Sequence, residues 1–294
     1  MIIGITGGTG FIGQAVTKEL SHRGDEVILF SRKERNGSRK FSLSEPLDVS
    51  GCDGLVHLAG ESIMGLWTSE KRRRILESRV EGTRRVVEGI AAALVKPCVL
   101  VSASAIGFYG DTGDAIADED SPAGRGFLSE VAQAWEVEAQ KAEALGVRVV
   151  RVRIGFVLGQ GGAMKLIGPL FRAGLGGKLG SGKQWMSCIE VEDLAAIIGE
   201  CLRNDALSGG VNAVMPEAMT NAEFTRAIAV ALHRPAILPA PAWGLRLALG
   251  DLSHLLLDSQ RIAPKRLTSQ RFLYRYSTAA TAMERLFSPN LPTS

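Results

Sequence analysis

The chain opens with an apolar run, Ile2-Ile3-Gly4-Ile5-Thr6, that passes directly into Gly7-Gly8-Thr9-Gly10-Phe11-Ile12-Gly13. Glycines at 7, 10 and 13 thus stand between a β-branched run and residues 11–23, whose apolar positions recur with helical spacing. Each has a separate physical task. Gly7 permits a tight turn, Gly10 lets the backbone approach a pyrophosphate, and Gly13 lets the helix pack closely on the strand. The free N–H groups and the positive end of that helix would then meet negative phosphate. The spacing predicts a dinucleotide held by Gly7, Gly8, Thr9, Gly10, Phe11, Ile12 and Gly13.

The remaining pattern fits a fold that uses such a loop. Residues 26–30, 55–59, 99–102 and 147–154 are further continuous apolar runs, as expected for strands covered on both faces. Helical patterns at 69–94 and 127–145 lie between them. This alternation predicts the α/β class, a doubly wound parallel (Rossmann) sheet with right-handed crossovers. After Gly159 the rhythm changes. A glycine-rich stretch at 175–182 reads as a flexible rim on the substrate side, with Trp185 and Met186 beyond it. A helical pattern at 191–203 and the turn Ser208-Gly209-Gly210 before Val211-Asn212-Ala213 follow, then helical patterns at 221–232, 243–256 and 278–286 separated by prolines. The expected organisation is a dinucleotide-binding domain over 1–160, with returning segments up to about 215, and a smaller, mostly helical C-terminal cap over 161–294.

The end of the second strand selects the dinucleotide. A carboxylate there would bind a ribose 2′-hydroxyl, whereas an arginine accepts a 2′-phosphate. The sequence reads Phe30-Ser31-Arg32-Lys33, so NADP(H) is favoured over NAD(H), with Ser31 and Arg32 as contacts.

Composition excludes several classes. Lys plus Arg (34) against Asp plus Glu (31) gives a formal charge of +3, too balanced for nucleic acid or an anionic membrane as main partner. Cys52, Cys98, Cys188 and Cys201 are far apart, without the spacing of a zinc or redox pair, and are expected as buried free thiols. The four histidines are dispersed, so no metal site is expected, and His57 reads as a core residue. No uncharged apolar run approaches 18 residues, which suits a cytoplasmic protein. Residues 177–183 mimic a triphosphate loop, but Gln184 stands where a metal-binding Ser or Thr is needed. Neither Ser102 nor Ser104 lies in a Gly-x-Ser-x-Gly elbow.

Several segments carry a family resemblance: the glycine loop, His57-Leu58-Ala59-Gly60, residues 102–110 and Arg153-Ile154-Gly155-Phe156-Val157-Leu158-Gly159. They resemble the extended and atypical short-chain dehydrogenase/reductase superfamily. Ala59-Gly60-Glu61, Trp67-Thr68, Ser78-Arg79, Ala134-Trp135-Glu136, Gly180-Ser181-Gly182 and Pro264-Lys265-Arg266-Leu267 are similar to its nucleoside-diphosphate-sugar epimerase-like family with a C-terminal domain of unassigned function. The resemblance implies that Leu58, Ala59 and Gly60 line the cofactor and that Gly155, Phe156 and Val157 contact its nicotinamide half. It also implies a serine facing the nicotinamide, either Ser104 or Ser102, and a homodimer through two long helices.

That superfamily uses a tyrosine with a lysine four residues later, the lysine holding the ribose and the tyrosine moving a proton. Here the residues four after Tyr109, Tyr274 and Tyr276 are Gly113, Thr278 and Ala280, so the pair is absent. Alignment by the following strand puts Phe127 or Leu128 at the tyrosine and Val131 or Ala132 at the lysine. Tyr109 or Glu61 is then the candidate substitute acid. Arg79 stands where many extended members have asparagine, and its fork would suit a phosphate; the alternative is a surface pair with Glu77 or Glu81. Two functions stay open: an NADP(H)-dependent oxidoreductase or epimerase acting on a small polar, optionally nucleotide-linked substrate, and a dinucleotide-binding sensor or structural module without turnover.

Overall fold

The computed structural model describes residues 1–33 and 37–287. Seven strands form one sheet: β1 (Ile2–Thr6), β2 (Glu26–Ser31), β3 (Ser38–Lys40), β4 (Gly54–His57), β5 (Val99–Ala105), β6 (Arg148–Ile154) and β7 (Gly209–Ala213). Their order is β3-β2-β1-β4-β5-β6-β7, and every neighbouring pair is parallel. The chain builds outward from β1 to β3, then returns to start β4 on β1's other side. The crevice at such a reversal is where open α/β sheets bind ligands.

The strands are apolar on successive residues because both faces are covered. Leu55, Leu100 and Val149 join one core, while their neighbours Val56, Val99, Val101 and Val150 join the other. The first core is closed by α2 (Ser69–Ala92) and α3 (Phe127–Gln140), through Val86, Ile90 and Ala139. The second is closed by α1 (Phe11–His22) and α5 (Val191–Arg203), through Val16, Leu20, Leu194 and Ile198. Between them in sequence lies α4 (Met164–Arg172).

The C-terminal cap comprises α6 (Asn221–Leu232), α7 (Ala242–Leu249) and α8 (Ala279–Phe287), with short turns of helix at His254–Leu257 and Lys265–Ser269. Phe224, Ile228, Leu267 and Met283 belong to the same core as Ile3 and Val152, so cap and sheet share one apolar interior.

The fold class is as expected from sequence, including α5 and α6 at their predicted bounds. The pattern at 243–256 breaks at Gly250, whose φ is 55°, into α7 and a separate turn. The pattern at 127–145 is α-helical to Gln140 and 3-10 over Lys141–Leu145. Sequence reading missed α4, which contains Gly168 and Pro169, and β3, a three-residue polar edge strand. The 175–182 rim is corrected from a flexible loop to a bonded one. Gly180 N donates to Ala240 O (2.8 Å), and Ala240 N donates to Lys178 O (3.0 Å). Cys98 is exposed, unlike the three buried cysteines. No helix among the described residues is long and apolar enough to cross a membrane.

Candidate functional site

A Cβ on Gly7 would stand 2.8 Å from Ala59 N, and one on Gly13 would stand 2.2 Å from Gly7 O. The first turn of α1 therefore packs on the loop backbone, and the loop packs on the chain leaving β4. Only glycine fits at either contact. Gly10 occupies the N-cap of α1 without a side-chain hydrogen bond, and the first turn contains no acidic residue. The amide groups of that turn thus lack a side-chain acceptor, which is the arrangement that receives phosphate. Gln14 braces the loop by donating from Nε2 to Thr9 O (3.0 Å), and the Phe11 ring lies against the 159–162 turn. Ile12 is half-buried against the core.

Ser31 is half-buried at the end of β2, while Arg32 is exposed and forms no ion pair among the described residues. Leu58 N donates to Thr6 O (3.1 Å), and Ala59 N to Thr6 Oγ1 (3.4 Å), so the chain leaving β4 runs directly beside the loop. Gly60 is exposed there. His57, just before, is buried. Its Nδ1 lies 2.6 Å from Thr6 Oγ1, and burial, reinforced by Arg79, lowers its pKa to about 4. It is a neutral core residue.

Glu61 is held by Lys71, whose Nζ donates to Oε1 at 2.7 Å. That bond, assisted by Lys71, Arg74 and Arg32, holds the carboxyl below its ordinary range despite desolvation. Glu61 is therefore ionised at neutral pH and cannot donate a proton, which corrects its reading as a substitute acid. Arg79 is not the surface pair that sequence offered as an alternative. Glu77 pairs with Arg73 and Glu81 with Arg84, while Arg79 Nη1 donates to the carbonyls of Glu61 (3.0 Å) and Ile75 (3.1 Å).

Ser102 and Ser104 lie on β5, both buried. Ser104 Oγ donates to Glu136 Oε1 at 2.7 Å. Glu136 also accepts from Arg153 Nε (2.8 Å) and Nη2 (2.9 Å), forming a bidentate pair whose side chains are 4% and 7% exposed. Arg153 Nη1 in turn donates to Tyr109 Oη (2.8 Å), and that hydroxyl donates to Asn212 Oδ1 (2.7 Å). Tyr109 is thus a packed aromatic with both bonding directions used, and burial pushes its phenol pKa upward. Its enclosed hydroxyl is part of the support beneath Ser104, which does not suit the substitute acid read from sequence.

Sequence reading missed this network. Its signal was present: Arg153 interrupts an apolar strand, and Glu136 interrupts the buried face Val131, Ala132, Trp135 and Ala139 of α3. Two opposite charges placed in buried runs imply each other.

After β6 the chain makes a close crossing. Gly155 N donates to Ala213 O (3.1 Å), and Phe156 N to Ser187 O (2.9 Å). Phe156 meets Phe224 of α6 edge-on, and Val157 is half-buried. A concavity of about 410 Å³ lies elsewhere, on the cap, lined by residues including Lys178, Arg226 and Ile237. The glycine loop does not line it, so concavity alone does not locate the cofactor groove.

The model of the NAD dependent epimerase/dehydratase family matches residues 3–213, which include every segment just described up to β7. The chain belongs to that family. A second model, the Domain of unknown function (DUF1731), matches residues 240–286. Epimerase family protein YfhF of Bacillus subtilis (strain 168) is 38% identical, the alignment covering 98% of both chains. The crystal structure of human epimerase family protein SDR39U1 (isoform 2), determined with NADPH, is 34% identical with a TM-score of 0.91, covering 97% of this chain and 99% of the human one. UDP-glucose 4-epimerase of Thermus thermophilus in complex with NAD shares the fold at 20% identity and a TM-score of 0.74, covering 98% of this chain and 97% of that one.

Within the epimerase/dehydratase family this chain departs from the short-chain dehydrogenase pattern on α3. Phe127 meets Trp67 edge-on at 5.3 Å, and the Arg72 guanidinium lies 4.3 Å from its ring centre. Val131 and Ala132 are buried. The positions aligned with the tyrosine and lysine, Phe127 or Leu128 and Val131 or Ala132, carry no side chain that can give or take a proton.

Proposed function

We propose that the protein is an NADP(H)-dependent oxidoreductase or epimerase acting on a small polar substrate, optionally nucleotide-linked, bound between the sheet and the cap. The observation that carries this reading is the uncapped start of α1 on the glycine loop, with an exposed Arg32, paired to no acid among the described residues, at the end of the neighbouring strand. The loop suits a pyrophosphate and Arg32 a 2′-phosphate. NADPH in the human relative's structure supports the same choice. When bound, the cofactor supplies hydride transfer.

Ser104 takes a defined part. Its proton goes to Glu136, a carboxylate that can only accept, so Ser104 offers any ligand a lone pair. A lone pair suits a substrate hydroxyl or an amide N–H. Tyr109 supports Arg153, which in turn sets the position of Glu136. Ser102, the alternative serine, is buried with a weak contact to Ala103 O at 3.3 Å.

One observation favours a second reading, an NADP(H)-binding module without turnover. Phe127 and Val131 supply no proton donor where the superfamily has its tyrosine and lysine. The two readings separate in one set of measurements on the purified protein. NADPH and NADH binding are measured by calorimetry, NADPH oxidation is followed with a panel of aldehydes and ketones, and UDP-sugars are examined by NMR for epimerisation. Turnover in any arm supports the enzyme. NADPH binding with no turnover leaves the module, and absence of binding to both nucleotides removes both. Arg32→Asp should weaken NADPH roughly tenfold or more while leaving NADH nearly unchanged.

A further inference from the structure

Arg79 is a guanidinium without an acid. Among the described residues no carboxylate lies within ion-pair distance, and its only hydrogen bonds run from Nη1 to two carbonyls, those of Glu61 and Ile75. Nε and Nη2 keep three N–H donors without a partner. Burial, partly offset by Glu61, lowers its pKa to about 10. Arg79 is half-buried, and neither Nε nor Nη2 is sealed off, so a cation with no ion-pair partner among the described residues and three open donors faces space that a ligand can enter.

Its position says which part of a ligand. The guanidinium carbon would lie 3.4 Å from a Cβ on Gly60, so it sits directly against the chain leaving β4. It also lies 5.0 Å from the ring centre of Trp135 on α3. Trp135 is one turn beyond Val131, on the same face, and next to Glu136, which holds Ser104. The cation therefore stands between β4 and α3, on the β5 side of the glycine loop, whereas Arg32 stands at the end of β2 on the opposite side.

We propose that Arg79, reaching across from α2 and steadied on Trp135, holds the hydroxyls of the nicotinamide-side ribose, the task for which α3 lacks a lysine. This rests on the cofactor reading given above, and it replaces the phosphate contact that the sequence suggested for the same side chain. An arginine here binds but does not activate a phenol, because α3 has none. Its fork and open donors suit two vicinal hydroxyls.

The test uses three ligands with the full-length protein. NADPH carries both riboses; adenosine 2′-phosphate 5′-diphosphate keeps the diphosphate but lacks the second ribose; 2′,5′-ADP keeps neither the second phosphate nor that ribose. Arg79→Met should weaken NADPH roughly tenfold or more and change the other two less than about twofold. Arg79→Lys should recover most of the NADPH affinity. The melting temperature of unliganded Arg79→Met should change little, because two hydrogen bonds to carbonyls and a half-buried charge leave together. Equal loss for NADPH and the diphosphate would assign Arg79 to phosphate and overturn the proposal, as would no loss at all. A lower unliganded melting temperature with unchanged affinities would assign it a structural role. If wild-type protein binds none of the three, the cofactor reading itself fails, and this proposal falls with it.

Discussion

Glu136 and Arg153 bear opposite charges in the interior, and their value to the protein depends on both being present. Each compensates the other, while Ser104 and Tyr109 take the remaining hydrogen bonds. Glu136→Ala should destabilise by about 3–5 kcal/mol, because it strands the guanidinium. The double variant Glu136→Met, Arg153→Met should lose clearly less, as both charges leave together. Urea denaturation midpoints of the two variants decide this, and equal losses would contradict it. His57 and Glu190, whose side chain caps the start of α5, supply a second residue-scale prediction. The folded imidazole has a pKa near 4, against an ordinary 6.5, so the unfolded chain takes a proton that the native one refuses. Stability from His57 therefore rises with pH between about 4 and 6.5. Burial pushes the Glu190 carboxyl up to about 7, against an ordinary 4.5, so the native chain keeps a proton that the unfolded one has lost. Stability from Glu190 falls over about 4.5 to 7. Each change is on the order of 3 kcal/mol, and the two oppose one another where they overlap. His57→Gln should expose a stability that falls as pH rises through this window, and Glu190→Gln one that rises. Parallel pH series of urea midpoints check both slopes.

At the scale of elements, most strands and helices were legible because the strands, covered on both faces, are apolar along their length and the helices are apolar on one face. β1, β4 and β5 read as apolar runs, β6 as an apolar run interrupted by Arg148, Arg151 and Arg153, and α5 and α6 as amphipathic helices. The glycine loop was legible for a stronger reason: Gly7 and Gly13 meet backbone on the far side, a requirement that leaves one residue type. The 175–182 segment misled because glycine density signals either mobility or close packing, and sequence does not separate the two. Here it is packing. A Cβ on Gly177 would stand 1.8 Å from Leu238 O, so the segment lies flat against residues 238–240. Gly177→Ala should therefore force the two chains apart, at a cost of about 1–3 kcal/mol. Amide exchange should accelerate at Gly180 and Ala240, the donors of the bonds that join them, while amides of β1 and β5 stay protected. Unchanged exchange at Gly180 and Ala240 would return the segment to a loose rim. The Ser104 support was illegible for a different reason, since Glu136, Arg153, Tyr109 and Asn212 meet only after α3, β6 and β7 have assembled.

For the whole molecule, the deciding fact is that the C-terminal third completes the core of the first half. Leu267, Ala279 and Met283 are buried with Ile3, Val152 and Leu194. Asp193, at the start of α5, accepts from the backbone N–H of Arg275 (2.9 Å) and of Tyr276 (3.0 Å). Arg275 reaches Glu19 on α1 (3.2 Å), and Tyr274 Oη donates to Val214 O (2.9 Å) just past β7. The end of the chain is thus bonded to α1, α5 and the last strand of the sheet. A chain ending at residue 263 would leave Asp193 buried without its two donors and open the core beneath α5, so it should not reach a compact native state. The full chain should instead unfold in one transition, with equal calorimetric and van't Hoff enthalpies. A ligand in the groove over the glycine loop then stabilises the cap as much as the sheet, because neither unfolds without the other. If NADPH binds there as proposed, a hundredfold excess over its dissociation constant adds about 2.7 kcal/mol. Tryptophan emission, which includes Trp185 and Trp243 beyond the sheet, and far-ultraviolet circular dichroism should shift to higher temperature together on adding NADPH. A cap signal that melts first, or that ignores the nucleotide, would show two independent units.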